Sequence, residues 1–566
     1  MKHLFIFLVI LTAFCAPVIA QDAPADPAAY LSAQTAAYLE IRSDDASLAA
    51  FDQQVARLAA LSSVPAPAQV GFTDLLTGIF PAGVDFRADV LPWLADRLAV
   101  AFVLPSAGES IQSAGTVFVL PIADAAGARA FVEKLAPRVV ERDILPDGTV
   151  FHYGGTFSMA VNDAAIWLGA PGAVKQVLPG TDGTLAQNPA YQRVRAALPA
   201  DALATGYLSG AAVNQSIAEQ QPETPPGSPS PAVLLEAALR LHPAQSPAED
   251  ALLQFPPLDG AGFAFRASAD RLDLTAALSF DTSYPAPTLA TSTAGAALLD
   301  LIPGDSFITF ASYDVSLAAL PFAGLVYLGP TVSNVFTNIV ASLDGTPPPT
   351  PTPTPTPTPA PPLTADAIIA QVQPIIAQAE SLMGMSLDEL YGLVGGEYAV
   401  AVFPGAGPTI GAALYLYSPD PQRILDTLDH VSGLILTDPA NGTPLVAVEH
   451  QTIDGVDVSL IGTPGAGERP ALGLINDNVL FVTMETSVPK VIASASQTAP
   501  SPALEWRAAF GDGQEALLYL DPRTIDLYSL GRQRVPPLPV TAVAGSLDAR
   551  ADGLFVLNLT VTVPSE

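Results

Sequence analysis

The chain has 566 residues, room for two to four ordinary domains, of which 49% are hydrophobic and only 14% charged. Lys and Arg number 23 against 55 Asp and Glu, a formal net charge of -32. A field of that sign repels nucleic acid and anionic lipid and keeps an otherwise apolar chain in solution, so polyanion-binding functions are excluded first.

Residues 1–20 read as a secretory signal peptide. Lys2 and His3 form a short basic start, LFIFLVILTAF is an apolar core, and Val18-Ile19-Ala20 is a small-residue cleavage site before Gln21. The core is too short for an ordinary membrane span. The chain's one cysteine, Cys15, lies inside the signal segment behind the bulky Phe14, which argues against lipid attachment there. The mature protein is then cysteine-free, without disulfides, thiolate chemistry or cysteine metal sites.

After a polar leader, residues 36–41 are strand-like and 46–61 follow a helical pattern. A strand–strand–helix unit comes next over residues 97–135: RLAVAFVLP, GTVFVLPI and DAAGARAFVEKL. The turn at Asp147-Gly148 leads to FHYGG, and two strands flank Asn162-Asp163. GAVKQVL with Lys175 and NPAYQRVRAAL are helical, a strand ends near Tyr207, and a hairpin turns at Asp270. Residues 221–248 are an insertion with Pro-rich character.

From LIPGDSFITFASYD at 301 the same succession restarts. Its core unit reads EYAVAVFPG, AALYLYS and DPQRILDTLDHV, placing Arg97 on Glu397, Ala99 on Ala399, Ala101 on Ala401 and Asp124 on Asp420. Asp454-Gly455, Asn476-Asp477, Lys490, SPALEWRAAF, Tyr519 and Asp552 then match their counterparts in order. Alternating Pro and Thr at 346–362 supports neither helix nor ladder, since each Pro lacks its N–H, so the tract is expected to extend as polyproline. Because the restart precedes it, the tract is expected to be a loop inside the second copy, as the smaller Val64-Pro65-Ala66-Pro67 is in the first. It could serve as a spacer or carry sugars on its threonines.

LPWLADRLAVAFV, VLPIADAAGARAFVEKL, the DGTVFHYGG turn and LAQNPAYQRVRAALPADALATGYLS together resemble a family of bacterial extracytoplasmic proteins, domain of unknown function 3352. The opening strand LIPGDSFITFASYD of the second copy is similar to it as well. The resemblance covers most of the mature chain and rests on pattern and order. It implies an envelope or secreted location and brings no catalytic residues.

Chemistry is sparse. The mature histidines His152, His242, His430 and His450 do not fall at ligand spacing, and His152 aligns with Ser459. There is no G-x-S-x-G elbow, no S-x-x-K, no phosphate-cradling loop and no run of alternating acids for calcium. Trp93, Trp167 and Trp506 could line a sugar or lipid site but suit core packing better, and the apolar run 317–328, which continues to Phe336, reads as core because it contains Pro321 and Pro330.

The sequence therefore predicts an α+β protein: a signal peptide at 1–20, a first copy at 21–290 and a second at 291–566 interrupted at 346–362. Each copy is expected to be an antiparallel sheet with helices packed on one face. No catalytic, cofactor-binding or metal residue is assigned, and no cofactor. The expected role is an exported, non-enzymatic one, binding or structural at the cell envelope, with an envelope protein, glycan or apolar ligand as partner. A hydrolase using dispersed acidic residues and a carrier of an apolar ligand are the alternatives. A cleft with two carboxylates would favour the first and a large apolar cavity the second. Any ligand site is expected where the copies meet.

Overall fold

A computed structural model describes residues 26–49, 53, 80, 83–103, 115–136, 139–145, 148–153, 157–179, 183–211, 258–268, 271–280, 298–312, 365–394, 396–405, 409–435, 447–462, 468–496, 501–510, 516–524, 540–550 and 554–562. Residues 1–20, read above as a signal peptide, and the stretches 221–248, 317–328 and 346–362 lie outside these residues.

Ten strands occupy the first half: β1 Ala37–Arg42, β2 Arg97–Val103, β3 Gly115–Pro121, β4 Glu141–Leu145, β5 Gly148–Tyr153, β6 Phe157–Val161, β7 Ala165–Gly169, β8 Ala204–Ser209, β9 Leu258–Ala267 and β10 Arg271–Phe280. Ten more follow: β11 Ile308–Ser312, β12 Tyr398–Pro404, β13 Ile410–Tyr417, β14 Ala447–Ile453, β15 Val456–Gly462, β16 Pro470–Asn476, β17 Val479–Met484, β18 Ala516–Leu520, β19 Ala542–Ala549 and β20 Leu554–Thr562. The helices are α1 Ala125–Leu135, α2 Pro171–Val177, α3 Pro189–Ala197, α4 Ala365–Met383, α5 Leu387–Val394, α6 Pro421–Ile435, α7 Val488–Ser494 and α8 Pro502–Phe510. The class is α+β, and every strand pairing is antiparallel.

The strands join into one twenty-stranded sheet instead of the two separate sheets expected. The junction is the pairing of β10 with β20, nine residues long, from Arg271 opposite Thr562 to Ser279 opposite Leu554. Outward from it the first half runs β10, β9, β8, β1, β2, β3, β7, β6, β5, β4. The second half runs β20, β19, β18, β11, β12, β13, β17, β16, β15, β14, the same succession with ten added to each number. β11, which precedes the Pro-Thr tract, lies between β12 and β18, which follow it.

Local chemistry sets the element ends. Asp124 caps α1 by accepting from Ala126 N at 2.9 Å, and Asp420 caps the corresponding α6 by accepting from Arg423 N at 3.2 Å. Asn162 and Asn476 turn the chain by accepting from backbone N–H two residues on, at 2.8 and 3.0 Å. Asp454 and Gly455 take φ of 51° and 82°, the double positive-φ conformation that suits a two-residue hairpin, here between β14 and β15.

Helices on one face is an expectation the first half overturns. Along β2, Leu98, Val100 and Phe102 join one buried cluster with Phe131 of α1, while Ala99 and Ala101 join another with Val174 of α2 and Tyr191 of α3. Both faces are covered, and that is why LAVAFV, after Arg97, is continuously apolar instead of alternating. In the second half the buried cluster lies on the α7 and α8 side, with Ala399, Ala401 and Phe403 against Val488, Val491 and Ala503. Traced strand to strand through the β10–β20 pairing, this is the same side of the sheet as the α2 and α3 cluster.

Candidate functional site

The two halves treat the remaining face differently. In the first, Phe80, Phe86, Val90, Trp93 and Phe131 close over Leu98, Val100 and Phe102. Phe131 packs with its ring centroid 5.3 Å from that of Trp93 and 6.1 Å from that of Phe80. In the second, the side chains at the corresponding register are apolar yet half-buried: Phe310 of β11, Val400 and Val402 of β12, Leu414 and Leu416 of β13 and Val482 of β17. Ile410, at the rim of the same face, is 51% exposed. Strands β12 and β13 accordingly alternate in burial where β2 does not. An apolar sheet face left partly open is the feature of this fold most suited to contact with another apolar surface.

The opposite face of the first half holds a buried polar cluster. Glu40 pairs with the Arg97 guanidinium, both buried, and accepts from the Tyr38 hydroxyl at 2.8 Å. Asp26 receives the Tyr191 hydroxyl at 3.1 Å and that of Tyr38 at 3.4 Å. The rings of Tyr38, Tyr191 and Tyr207 stack edge to face, with centroids 5.9 and 5.3 Å apart. Alternation along β1 puts Tyr38 and Glu40 on one side, and β8 and α3 bring in Tyr207 and Tyr191. In the second half Thr309, Ala311 and Leu504 stand at the matching positions and only Tyr519 repeats.

Burial holds these tyrosines neutral. Burial first, then the neighbouring Tyr191 and Asp26, raise Tyr38 well above the ordinary range, and burial followed by Asp26 raises Tyr191. Burial pushes Tyr207 up to about 12, with Asp259 adding to it. The folded protein therefore keeps protons that the unfolded chain gives up above pH 10. Stability contributed by these groups is fully present below that pH and is lost as pH rises from 10 through about 12. Urea titrations between pH 8 and pH 11.5 are expected to show the midpoint falling only above pH 10, and less steeply in Tyr191→Phe.

Of the residues singled out from sequence, Trp93 and Trp167 are buried, and each indole N–H donates to a backbone carbonyl, Asp89 O at 2.7 Å and Tyr30 O at 2.9 Å. Trp506 is partly buried, and the Arg271 guanidinium lies 5.9 Å from its ring, a contact between the halves. Lys175 pairs with Asp143 at 2.7 Å, and Lys490 with Asp305 at 2.6 Å. Where the halves meet, the sheet carries a polar ladder, with Thr275 donating to Asn558 at 3.0 Å and Arg271 pairing with Asp273. His242, Asp270 and Asp552 lie outside the described residues.

One constellation escaped the sequence reading. His450 of β14 stands directly opposite Ser459 of β15, with its Nδ1 3.1 Å from the serine hydroxyl and its Nε2 3.5 Å from Asp429 of α6. The Asp454-Gly455 turn implies the serine–histidine register, but Asp429 joins only through tertiary packing. His450 is largely solvent-exposed and Ser459 is buried. Among the described residues no three His, Cys, Asp or Glu side chains gather as a metal site, and no helix is long and apolar enough to cross a membrane.

An antiparallel sheet whose apolar face is closed in the first half and half-buried in the second, among the described residues, defines an α+β protein. The family of proteins of unknown function DUF3352 matches residues 4–565, and the chain belongs to it. No curated protein matches the sequence. Among solved structures it is similar to TP0453 in crystal form IV, with 11% identity over 44% of this chain and 75% of that one and a TM-score of 0.22. Crystal form III gives 10% identity over 51% and 90% of the two chains, with a TM-score of 0.20.

Proposed function

We propose that the chain is an exported, duplicated protein of the cell envelope that works by binding, with the open apolar face of its second half as the working surface. The half-buried row Phe310, Val400, Val402, Leu414 and Leu416 carries this reading, because the matching row of the first half is closed over by aromatic side chains. Residues 1–20 support export, and the repeated strand succession about the β10–β20 junction supports duplication. On this reading the first half is the closed scaffold and the second half holds an apolar ligand or partner surface. The net charge of -32 disfavours an anionic ligand.

The test uses the neutral apolar dye N-phenyl-1-naphthylamine with the full mature chain. Saturable fluorescence enhancement is expected, strongly weakened in Leu414→Glu and unchanged in Asp143→Asn. Equal binding by Leu414→Glu, or no binding at all, would sink the assignment of this face. The serine–histidine–aspartate arrangement favours a second reading, hydrolysis. Labelling of Ser459 by a fluorophosphonate that disappears in His450→Ala would establish that reading in place of the first.

A further inference from the structure

We infer that the outer edge of β14 is a self-complementary docking strand, through which two copies of this chain pair antiparallel about His450. β14 is one end of the twenty-stranded sheet: it pairs with β15 on one side, and among the described residues no strand pairs with the other. The two-residue turn at Asp454-Gly455 sets which backbone groups are free. Ile453 and Val456 close the hairpin as a hydrogen-bonded pair, so Gln451, Glu449 and Ala447 also bond inward. Val448, His450 and Thr452 then direct their N–H and C=O groups outward.

Edges of this kind are normally protected by lysine, proline, a bulge or extreme shortness. β14 has none of these. Its seven residues, AVEHQTI, run in unbroken register with β15, and its one carboxylate, Glu449, is already paired with Arg469 at 2.7 Å. The opposite end of the sheet differs. β4 has five residues and puts Glu141, Arg142 and Asp143 in succession, the charged, short form of a guarded edge. The contrast points to β14 alone as the pairing edge.

The partner that fits is a second β14. Centred on His450, an antiparallel pair sets Val448 opposite Thr452 twice and Glu449 opposite Gln451 twice, and it sets Ala447 opposite Ile453. No carboxylate faces another, and the three outward residues of each strand meet as hydrogen-bonded pairs. An antiparallel pairing of similar length already joins the two halves of the molecule, where β10 and β20 pair over nine residues centred on Thr275 opposite Asn558. A contact of this symmetry closes at two copies and does not propagate.

The test is light scattering after size exclusion, with sedimentation velocity, on the full mature chain up to high micromolar concentration. A mass twice that of the chain is expected, falling to the single-chain value in Val448→Pro. That substitution removes an outward N–H, leaves the β15 ladder bonded, and blocks an incoming strand. In His450→Cys, mild oxidation should cross-link the copies, because the symmetric pair brings the two α-carbons to about 5.5 Å, within disulfide reach. Gln451→Cys, which does not face itself, should cross-link far less. A monomer at every concentration overturns the inference. So does a dimer that survives Val448→Pro and leaves His450→Cys uncross-linked. Dye binding by Val448→Pro should match the unaltered chain, so failure here and failure of the apolar-face reading are separable.

Discussion

Replacing Glu40 with alanine is expected to cost about 3–5 kcal/mol of folding stability, among the largest effects of any single substitution in the chain. The carboxylate is buried between the Arg97 guanidinium and the Tyr38 hydroxyl. Its removal leaves a guanidinium in the interior with one long bond to Ala200 O at 3.4 Å, and Arg97 Nε donates to no acceptor in the structure as it stands. Burial already holds the Arg97 pKa below its ordinary value, a sign that the charged form is poorly solvated there. The cost arises from the stranded partner more than from the lost attraction. The double replacement Glu40→Leu with Arg97→Met should therefore recover most of the loss. Urea denaturation of the unaltered chain and the two variants decides the matter. A double variant as unstable as Glu40→Ala would show that the pair itself stabilises the fold.

Truncating Trp167 to alanine should cost a similar amount, about 3–5 kcal/mol, and should loosen a particular segment. Its ring is buried beside Val117, Val119 and Ala160, and its indole N–H donates to Tyr30 O, 137 residues earlier in the chain. The short helical turn Pro27–Tyr30 rests on that bond and on Asp26, whose carboxylate caps the turn at Ala28 N. In hydrogen exchange, protection of residues 28–36 should fall further in Trp167→Ala than protection of β17, on the far half of the sheet. Trp506→Ala, which removes a partly buried ring, should cost less than half as much. Equal losses for the two tryptophans, or uniform loss of protection, would refute this account.

The sequence carried the local architecture on its own. The Asp124 and Asp420 caps, the Asn162 and Asn476 turns and the positive-φ pair at Asp454-Gly455 are where their residue types require them. Each depends on a few neighbouring residues, so a linear reading suffices. The order of the strand–strand–helix units was legible for the same reason, and so was the burial of Trp167 within an apolar strand. Even the continuous apolar run of β2 already signalled a strand covered on both sides, though it does not say by what.

Only the tertiary structure decided partners. Nothing local in β10 or β20 announces that Thr275 will meet Asn558, 283 residues away, and so join two sheets into one. The polar cluster draws Asp26, Glu40, Arg97 and Tyr191 from four separate stretches, and Asp429 reaches His450 only because α6 packs on β14. The open face of the second half is likewise invisible in the sequence, since Val400 and Val402 are as apolar as Leu98 and Val100. Hydrophobic pattern records that a side chain leaves water; which surface receives it is set by the pairing of distant strands.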